Sequence, residues 1–246
     1  MNLVLLGATK GMGRAIARAA VSRGDTVFLL GRDAQDLEAS RQDLIARGSE
    51  SSCAGSAVCD LEQPDGFEDA LQSAFDALGK VDTVVVTAAM FGTQDALEAD
   101  AELARRLLTV NFANTVTFCE AARKRLLAAG GGTLCVFSSV AGDRGRKPVG
   151  IYGSSKAGLS HYLESLDHKF RSDGLVTVCV KPGFVKTGMT AGLDPPPFAG
   201  EPEGVAKDVL KAIDGGKPLI YTPGIWRLVM LMIQHLPRFV MRKIGF

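Results

Sequence analysis

Three side chains in one short stretch have the types and spacing to move a proton: Ser139, Tyr152 thirteen positions later, and Lys156 one helical turn beyond. A hydroxyl that donates a hydrogen bond, a phenolic acid and a cation that tunes it are together the parts needed to put a proton on a carbonyl oxygen. The stretch points to an enzyme. Tyr-x-x-x-Lys by itself says little, because residues i and i+4 share a face on any helix. Its weight depends on what positions it.

The chain around it alternates short apolar runs with amphipathic segments, the sequence form of repeated β-α units on a parallel sheet. Strands are predicted near 2–6, 26–30, 54–59, 82–87, 133–138, 175–181 and 218–222, with helices near 12–22, 34–47, 65–78, 99–128, 152–172 and 203–214. The expected fold is α/β, a single Rossmann-like doubly wound domain over residues 1–246 with a seven-stranded parallel sheet flanked by helices. Ligands in such a fold sit beyond the carboxyl ends of the strands, near the point where strand order reverses. The catalytic stretch follows the fifth predicted strand, as that rule requires.

Composition narrows the class. A chain of 246 residues, 46% hydrophobic and 22% charged, can bury one substantial core, and its net charge of +1 gives no global attraction for nucleic acid. The five cysteines, Cys53, Cys59, Cys119, Cys135 and Cys179, contain no Cys-x-x-Cys and read as buried, reduced thiols of a cytoplasmic protein. His161, His168 and His235 lack ligand spacing, so no metal is assigned. The opening Met1 to Gly7 is too short and too uncharged for a signal peptide, and no run of about 20 apolar residues crosses a membrane.

A glycine loop, Gly7-Ala8-Thr9-Lys10-Gly11-Met12-Gly13, follows the first strand and opens a helix, where helix N-terminal amides can face a pyrophosphate. After the second strand, Arg32 follows Gly31. A guanidinium there suits a ribose 2′-phosphate, with Lys10 as a second cation, so NADP(H) is favoured. Asp33 is one residue late for a ribose contact and reads equally as the start of a helix, which keeps NAD(H) as the alternative. Asp60 lies on the same edge, either for the adenine amino group or as a turn residue.

These pieces appear in the order found in the short-chain dehydrogenase/reductase family, which the whole chain resembles: the glycine loop, Asn111 in Leu108-Thr109-Val110-Asn111, Ser138-Ser139-Val140-Ala141-Gly142, Tyr152-Gly153-Ser154-Ser155-Lys156, and Pro182-Gly183-Phe184-Val185-Lys186-Thr187. The resemblance implies that Tyr152 is the general acid/base, with its pKa lowered by Lys156, which also binds the nicotinamide ribose. Ser139 would orient the carbonyl and Asn111 would anchor a relay water, although Asn111 alone reads more readily as a kink or capping residue. Pro182, Gly183 and Thr187 would hold the nicotinamide carboxamide. Thr9, Met12, Leu61, Ala88, Ala89 and Val185 complete the implied cofactor contacts. The family usually has Asn-Asn-Ala-Gly after the fourth strand; here Thr87-Ala88-Ala89-Met90 loses both amides and the glycine. Side-chain ordering of the central sheet is therefore not carried over.

Two segments bear on the substrate. Residues 190–202, with Pro195-Pro196-Pro197, read as a substrate loop. The tail from Ile225 to Phe246 carries Arg227, Arg238, Arg242 and Lys243 and no acid. Its first part makes about three helical turns, too short to span a bilayer but suited to lie on one. Trp226, Val229, Met230, Ile233 and Leu236 could alternatively pack on the protein. The tail, with Asp143-Arg144 and the Tyr152 segment, resembles a bacterial subgroup that includes the keto-reductase component of decaprenylphosphoryl-ribose epimerisation, which implies a lipid-linked ketosugar as substrate and Arg144, Arg146 and Lys147 as steering cations. A ketolipid is the other carbonyl/alcohol substrate considered. The functional expectation is NADP(H)-dependent hydride transfer to such a carbonyl, in a cytoplasmic homodimer or homotetramer with peripheral contact at the inner face of the membrane. A catalytically idle dinucleotide sensor is the alternative.

Overall fold

The computed structural model describes residues 1–244; the last two positions of the tail, Gly245 and Phe246, lie outside the described residues. Seven strands are formed: β1 (Asn2–Leu6), β2 (Thr26–Gly31), β3 (Cys53–Val58), β4 (Thr83–Val86), β5 (Gly132–Phe137), β6 (Leu175–Pro182) and β7 (Leu219–Thr222). All pair in parallel in the order β3-β2-β1-β4-β5-β6-β7. Runs such as Leu3-Val4-Leu5-Leu6 and Val84-Val85-Val86 are almost wholly buried, as strands covered on both faces must be. The order reverses between β1 and β4, so the crevice of the fold opens where Gly7 and Thr87 leave the sheet.

The crossover helices are α1 (Gly11–Ser22), α2 (Ala34–Arg47), α3 (Phe67–Leu78), α4 (Gln94–Ala99), α5 (Ala101–Leu108), α6 (Thr115–Ala128), α7 (Gly150–Phe170) and α8 (Pro202–Asp214). One face of the sheet packs with α1, α2 and α8 through Ile16, Leu37, Leu44 and Val209. The other packs with α3, α6 and α7 through Phe67, Leu71, Phe118 and Leu163, where the Phe67 and Phe118 rings meet edge to face at 5.5 Å.

The segment expected as one helix over 99–128 is broken. Asp100 accepts the N–H groups of Glu102 and Leu103 on its carboxylate, capping α5 and separating it from α4. Residues Thr109–Asn114 then form a π-helical turn before α6.

Beyond β7 the tail forms α9 (Ile225–His235) and, after Pro237, the short α10 (Arg238–Met241). Trp226, Met230 and Ile233 bury one face of α9 with Val140, against Phe184 and Tyr221. No helix among the described residues is long and apolar enough to cross a membrane.

Candidate active site

Beyond Leu6 the chain turns through Gly7 at φ 91°, a conformation that costs glycine little. A methyl group on Gly7 would stand 2.6 Å from the Ala88 nitrogen, and one on Gly13 would stand 2.1 Å from the Gly7 oxygen. Both glycines are fixed by close packing of the loop on itself and on the end of β4. Gly11, at φ 52°, starts α1, whose N-terminus no side chain caps. Its first-turn amides therefore face outward from the crevice edge, the arrangement that suits an anion. Thr9 lies near Gly31, and Met12 is half-buried on the core.

The lost Asn-Asn-Ala-Gly pattern has a substitute. The Thr87 hydroxyl shares its proton between the carbonyls of Leu6 and Gly7, each at 3.1 Å, tying β4 to the glycine loop. Asn111 supplies the second tie. Fully buried at the π turn, it accepts the Met90 N–H at 2.7 Å and donates to the Met90 carbonyl at 2.8 Å. The sheet edge carrying Ala88 and Ala89 is thus tied from two sides by residues other than the missing amides. Asn111's carboxamide is engaged at both ends in this tie.

Ser139 leaves β5 with its Oγ accepting the Ala141 N–H at 3.1 Å. Its neighbour Ser138 turns inward, donating to the Lys156 carbonyl at 2.8 Å and pairing with the Ser160 hydroxyl at 2.7 Å. The two serines therefore divide into one that faces Tyr152 and one that braces α7. Gln94 accepts the Ile151 N–H at 3.1 Å and fixes the start of that helix.

Lys156, only 2% exposed, donates from Nζ to the Phe137 carbonyl at 3.0 Å. Burial pushes its pKa down to about 8. Tyr152 keeps some contact with solvent, and its pKa is pushed up to about 12 by burial, partly offset by the hydrogen bond with Ser139. Desolvation outweighs the lowering expected from Lys156, whose Nζ lies 5.9 Å from the tyrosine ring centroid and donates to the Phe137 carbonyl. Burial thus favours the protonated phenol. Phe91 packs its ring edge to face on Tyr152 at 5.2 Å, a contact no spacing in the sequence announces.

At the cofactor-specificity edge, Arg32 is exposed one residue past β2 and makes no ion pair among the described residues. The Asp33 carboxylate accepts the N–H groups of Gln35 and Asp36, both at 2.9 Å, so it caps α2. Lys10 pairs with Asp36 at 2.7 Å, an exposed contact of small energetic weight. Asp60 uses one oxygen to accept the Glu62 N–H at 3.0 Å, the turn role, and the Leu61 carbonyl accepts from Asn114 at 2.6 Å.

After β6, Gly183 donates its N–H to the Thr222 carbonyl at 3.0 Å, and the Trp226 indole occupies the space a side chain would need. Pro182 ends β6 within the sheet and Val185 is buried in the core, so only backbone is offered there. The Thr187 methyl would lie 3.5 Å from a methyl on Gly11, which brings this segment against the glycine loop. The 190–202 loop is pinned at its base by pairing of Val185 with Gly200 and farther out by the Trp226 indole, which donates to the Phe198 carbonyl at 3.2 Å. The cysteines are all buried and unpaired, and no metal-binding group of His, Cys, Asp or Glu occurs among the described residues.

Residues 2–196 match the family model described as short chain dehydrogenase. The chain is 30% identical to an uncharacterized oxidoreductase of Mycobacterium tuberculosis, over 98% of this chain and 96% of that one. It is 28% identical to carbonyl reductase family member 4 of Xenopus tropicalis, over 84% and 88% respectively. Among solved structures it is similar in fold to a variant of actinorhodin polyketide ketoreductase with NADPH, at a TM-score of 0.79 and 22% identity, covering 90% of this chain and 95% of that one.

Proposed function

The chain belongs to the short-chain dehydrogenase family of oxidoreductases, and from that premise we propose that it reduces the carbonyl of an apolar, lipid-linked substrate with NADPH. The observation that carries the reading is the meeting of Ser139 and Tyr152 over the buried Lys156, with the phenol held protonated. The glycine loop fits a dinucleotide, since it has no room for a side chain at Gly7 or Gly13 and presents an uncapped helix N-terminus. Gly7, Thr9, Lys10, Gly11, Met12 and Gly13 would hold the pyrophosphate, and Asp60, Leu61, Ala88 and Ala89 the adenosine. Pro182, Gly183, Val185 and Thr187 would hold the nicotinamide carboxamide, the last three through backbone or hydroxyl. When bound, the reduced nicotinamide supplies a hydride, which is two electrons and one hydrogen.

The residues of the chain do the rest. Ser139 donates a hydrogen bond that places the carbonyl oxygen beside Tyr152. Tyr152 gives that oxygen its proton, so the product is an alcohol, and the phenolate left behind is stabilised by the Lys156 cation. Asn111 keeps Met90 and the neighbouring backbone in place. The Tyr152→Phe variant is expected to lose turnover by at least about a thousandfold while its NADPH affinity stays within about twofold; retained turnover sinks the mechanism.

NADP(H) is favoured over NAD(H) because Arg32 is available and Asp33 is committed to capping α2. Arg32→Ala should weaken NADPH binding about tenfold or more and leave NADH binding nearly unchanged, by fluorescence titration of each cofactor. An equal effect on both would show that Arg32 does not read the 2′-phosphate.

The apolar, lipid-linked character of the substrate is supported by the tail. Its buried face walls the site through Trp226, while Leu228, Leu231, Met232 and Phe239 are exposed beside Arg227, Arg238, Arg242 and Lys243. We propose that this outer face rests on an anionic membrane surface on the cytoplasmic side.

A further inference from the structure

The ten residues that join Ser139 to the start of α7 hold three cations, Arg144, Arg146 and Lys147, and the fold sets them opposite Arg238 and Arg242 of the tail. Together with Met241 they line a groove of about 380 Å³ that contains no acidic side chain. The two walls are joined by the Arg144 guanidinium, which donates to the Leu236 carbonyl at 2.9 Å and closes the C-terminal end of α9.

The nearest carboxylate does not neutralise the groove. Asp143 is 1% exposed at its side chain, and it is taken up by the Lys181 ammonium at 2.5 Å and the Tyr221 hydroxyl at 2.9 Å. Arg146, half-buried, has its Nε shut off from solvent with no hydrogen-bond partner among the described residues. Burial pulls its pKa below the ordinary arginine value, with Asp143 opposing. A guanidinium in that state has an unmet donor, and converging cations in a groove lined by no acid concentrate positive potential in the concavity.

We propose that this groove is a binding site for a phosphate group, as a monoester or diester. A tetrahedral anion with several acceptor oxygens can engage more than one guanidinium fork at once, whereas a carboxylate fills a single fork. The groove lies on the loop that joins the two reactive hydroxyls, away from Arg32, so it takes a phosphate other than those of the dinucleotide. Beside Arg238 in the tail wall, Phe239 is exposed, and α9 exposes Leu231 and Met232, apolar surface that suits a phosphate carried on a hydrocarbon chain. The choice of an alkyl-borne phosphate rests on the proposed apolar, lipid-linked substrate; the phosphate site itself does not.

The full chain is titrated by calorimetry with inorganic phosphate, octyl phosphate and acetate, with NADPH affinity measured in parallel on each variant. Saturable binding of both phosphates is expected, at least about tenfold tighter than acetate and weakening with salt. Arg146→Gln and Arg242→Gln should each lower phosphate affinity at least about tenfold, while Lys243→Gln, outside the groove, and NADPH affinity stay within about twofold. Because Arg242 is exposed, its variant reads the site even if Arg146→Gln folds poorly. Octyl phosphate binding at least about tenfold tighter than inorganic phosphate identifies an alkyl-borne phosphate; equal affinity identifies free phosphate, and either supports the site. Absence of saturable binding, indifference to both arginine substitutions, or attachment only to phosphatidylglycerol vesicles with equal loss in Lys243→Gln overturns it.

Discussion

At the scale of single residues, the two titrating groups of the site divide the pH range between them. Tyr152, pushed up to about 12, stays protonated through the usable range, whereas Lys156, pushed down to about 8, loses its charge within it. Deprotonation removes the cation that stabilises the phenolate, so kcat/KM for carbonyl reduction is expected to be level below pH 8 and to fall about tenfold per unit well above it. A pH profile that rises through 8 would contradict the assignment of the lysine. Residue types make these groups legible in the sequence, because few side chains serve as a phenolic acid beside a cation. Their partners are not legible there: Phe91 on Tyr152, Thr87 on the Leu6 and Gly7 carbonyls, and Ser138 beneath α7 are ordinary residues made specific by where other elements lie.

Between elements, the joint that matters most is Gly183 under the Trp226 indole. A methyl group on Gly183 would come within 2.1 Å of the Trp226 indole nitrogen, so β6 and α9 cannot both keep their places in Gly183→Ala. That variant is expected to lose about 1–3 kcal/mol by urea unfolding, the usual range for overpacking. Trp226→Ala should lose about 3–5 kcal/mol. Because the indole is what obstructs the methyl group, the double variant should be at least about 1 kcal/mol more stable than the sum of the two losses predicts, and strict additivity would show the contact to be irrelevant. Elements whose boundaries are set by local chemistry are legible in the chain. Strands β1 to β7 fall within a residue or two of their predicted positions, and Asp33 caps α2 as short-range hydrogen bonding dictates, whereas the Asp100 cap that splits the segment expected as one helix over 99–128 is not read from the pattern. The π turn at Thr109–Asn114 is not legible, since the tie from Asn111 to Met90 that accompanies it spans 21 residues.

For the whole molecule, the tail is a structural wall on one side and an exposed apolar face on the other, which decides how the proposed membrane contact is tested. Deleting it would remove Trp226, Met230 and Ile233 from a buried cluster. The informative change is Leu228→Ser with Met232→Ser, both exposed. It should reduce cosedimentation with phosphatidylglycerol vesicles severalfold and alter unfolding free energy by about 1 kcal/mol or less; undiminished cosedimentation would exclude this face. The sequence by itself determined the doubly wound sheet, the glycine loop and the order Ser139, Tyr152, Lys156, because alternating hydrophobicity, helix caps and catalytic residue types are local properties. It left open whether the tail packs on the protein, and the family resemblance implied a lowered tyrosine pKa where burial raises it. Only the tertiary structure decided these, because desolvation, close approach at Gly183 and the meeting of residues 144–147 with 238–242 depend on distances between segments far apart in the chain.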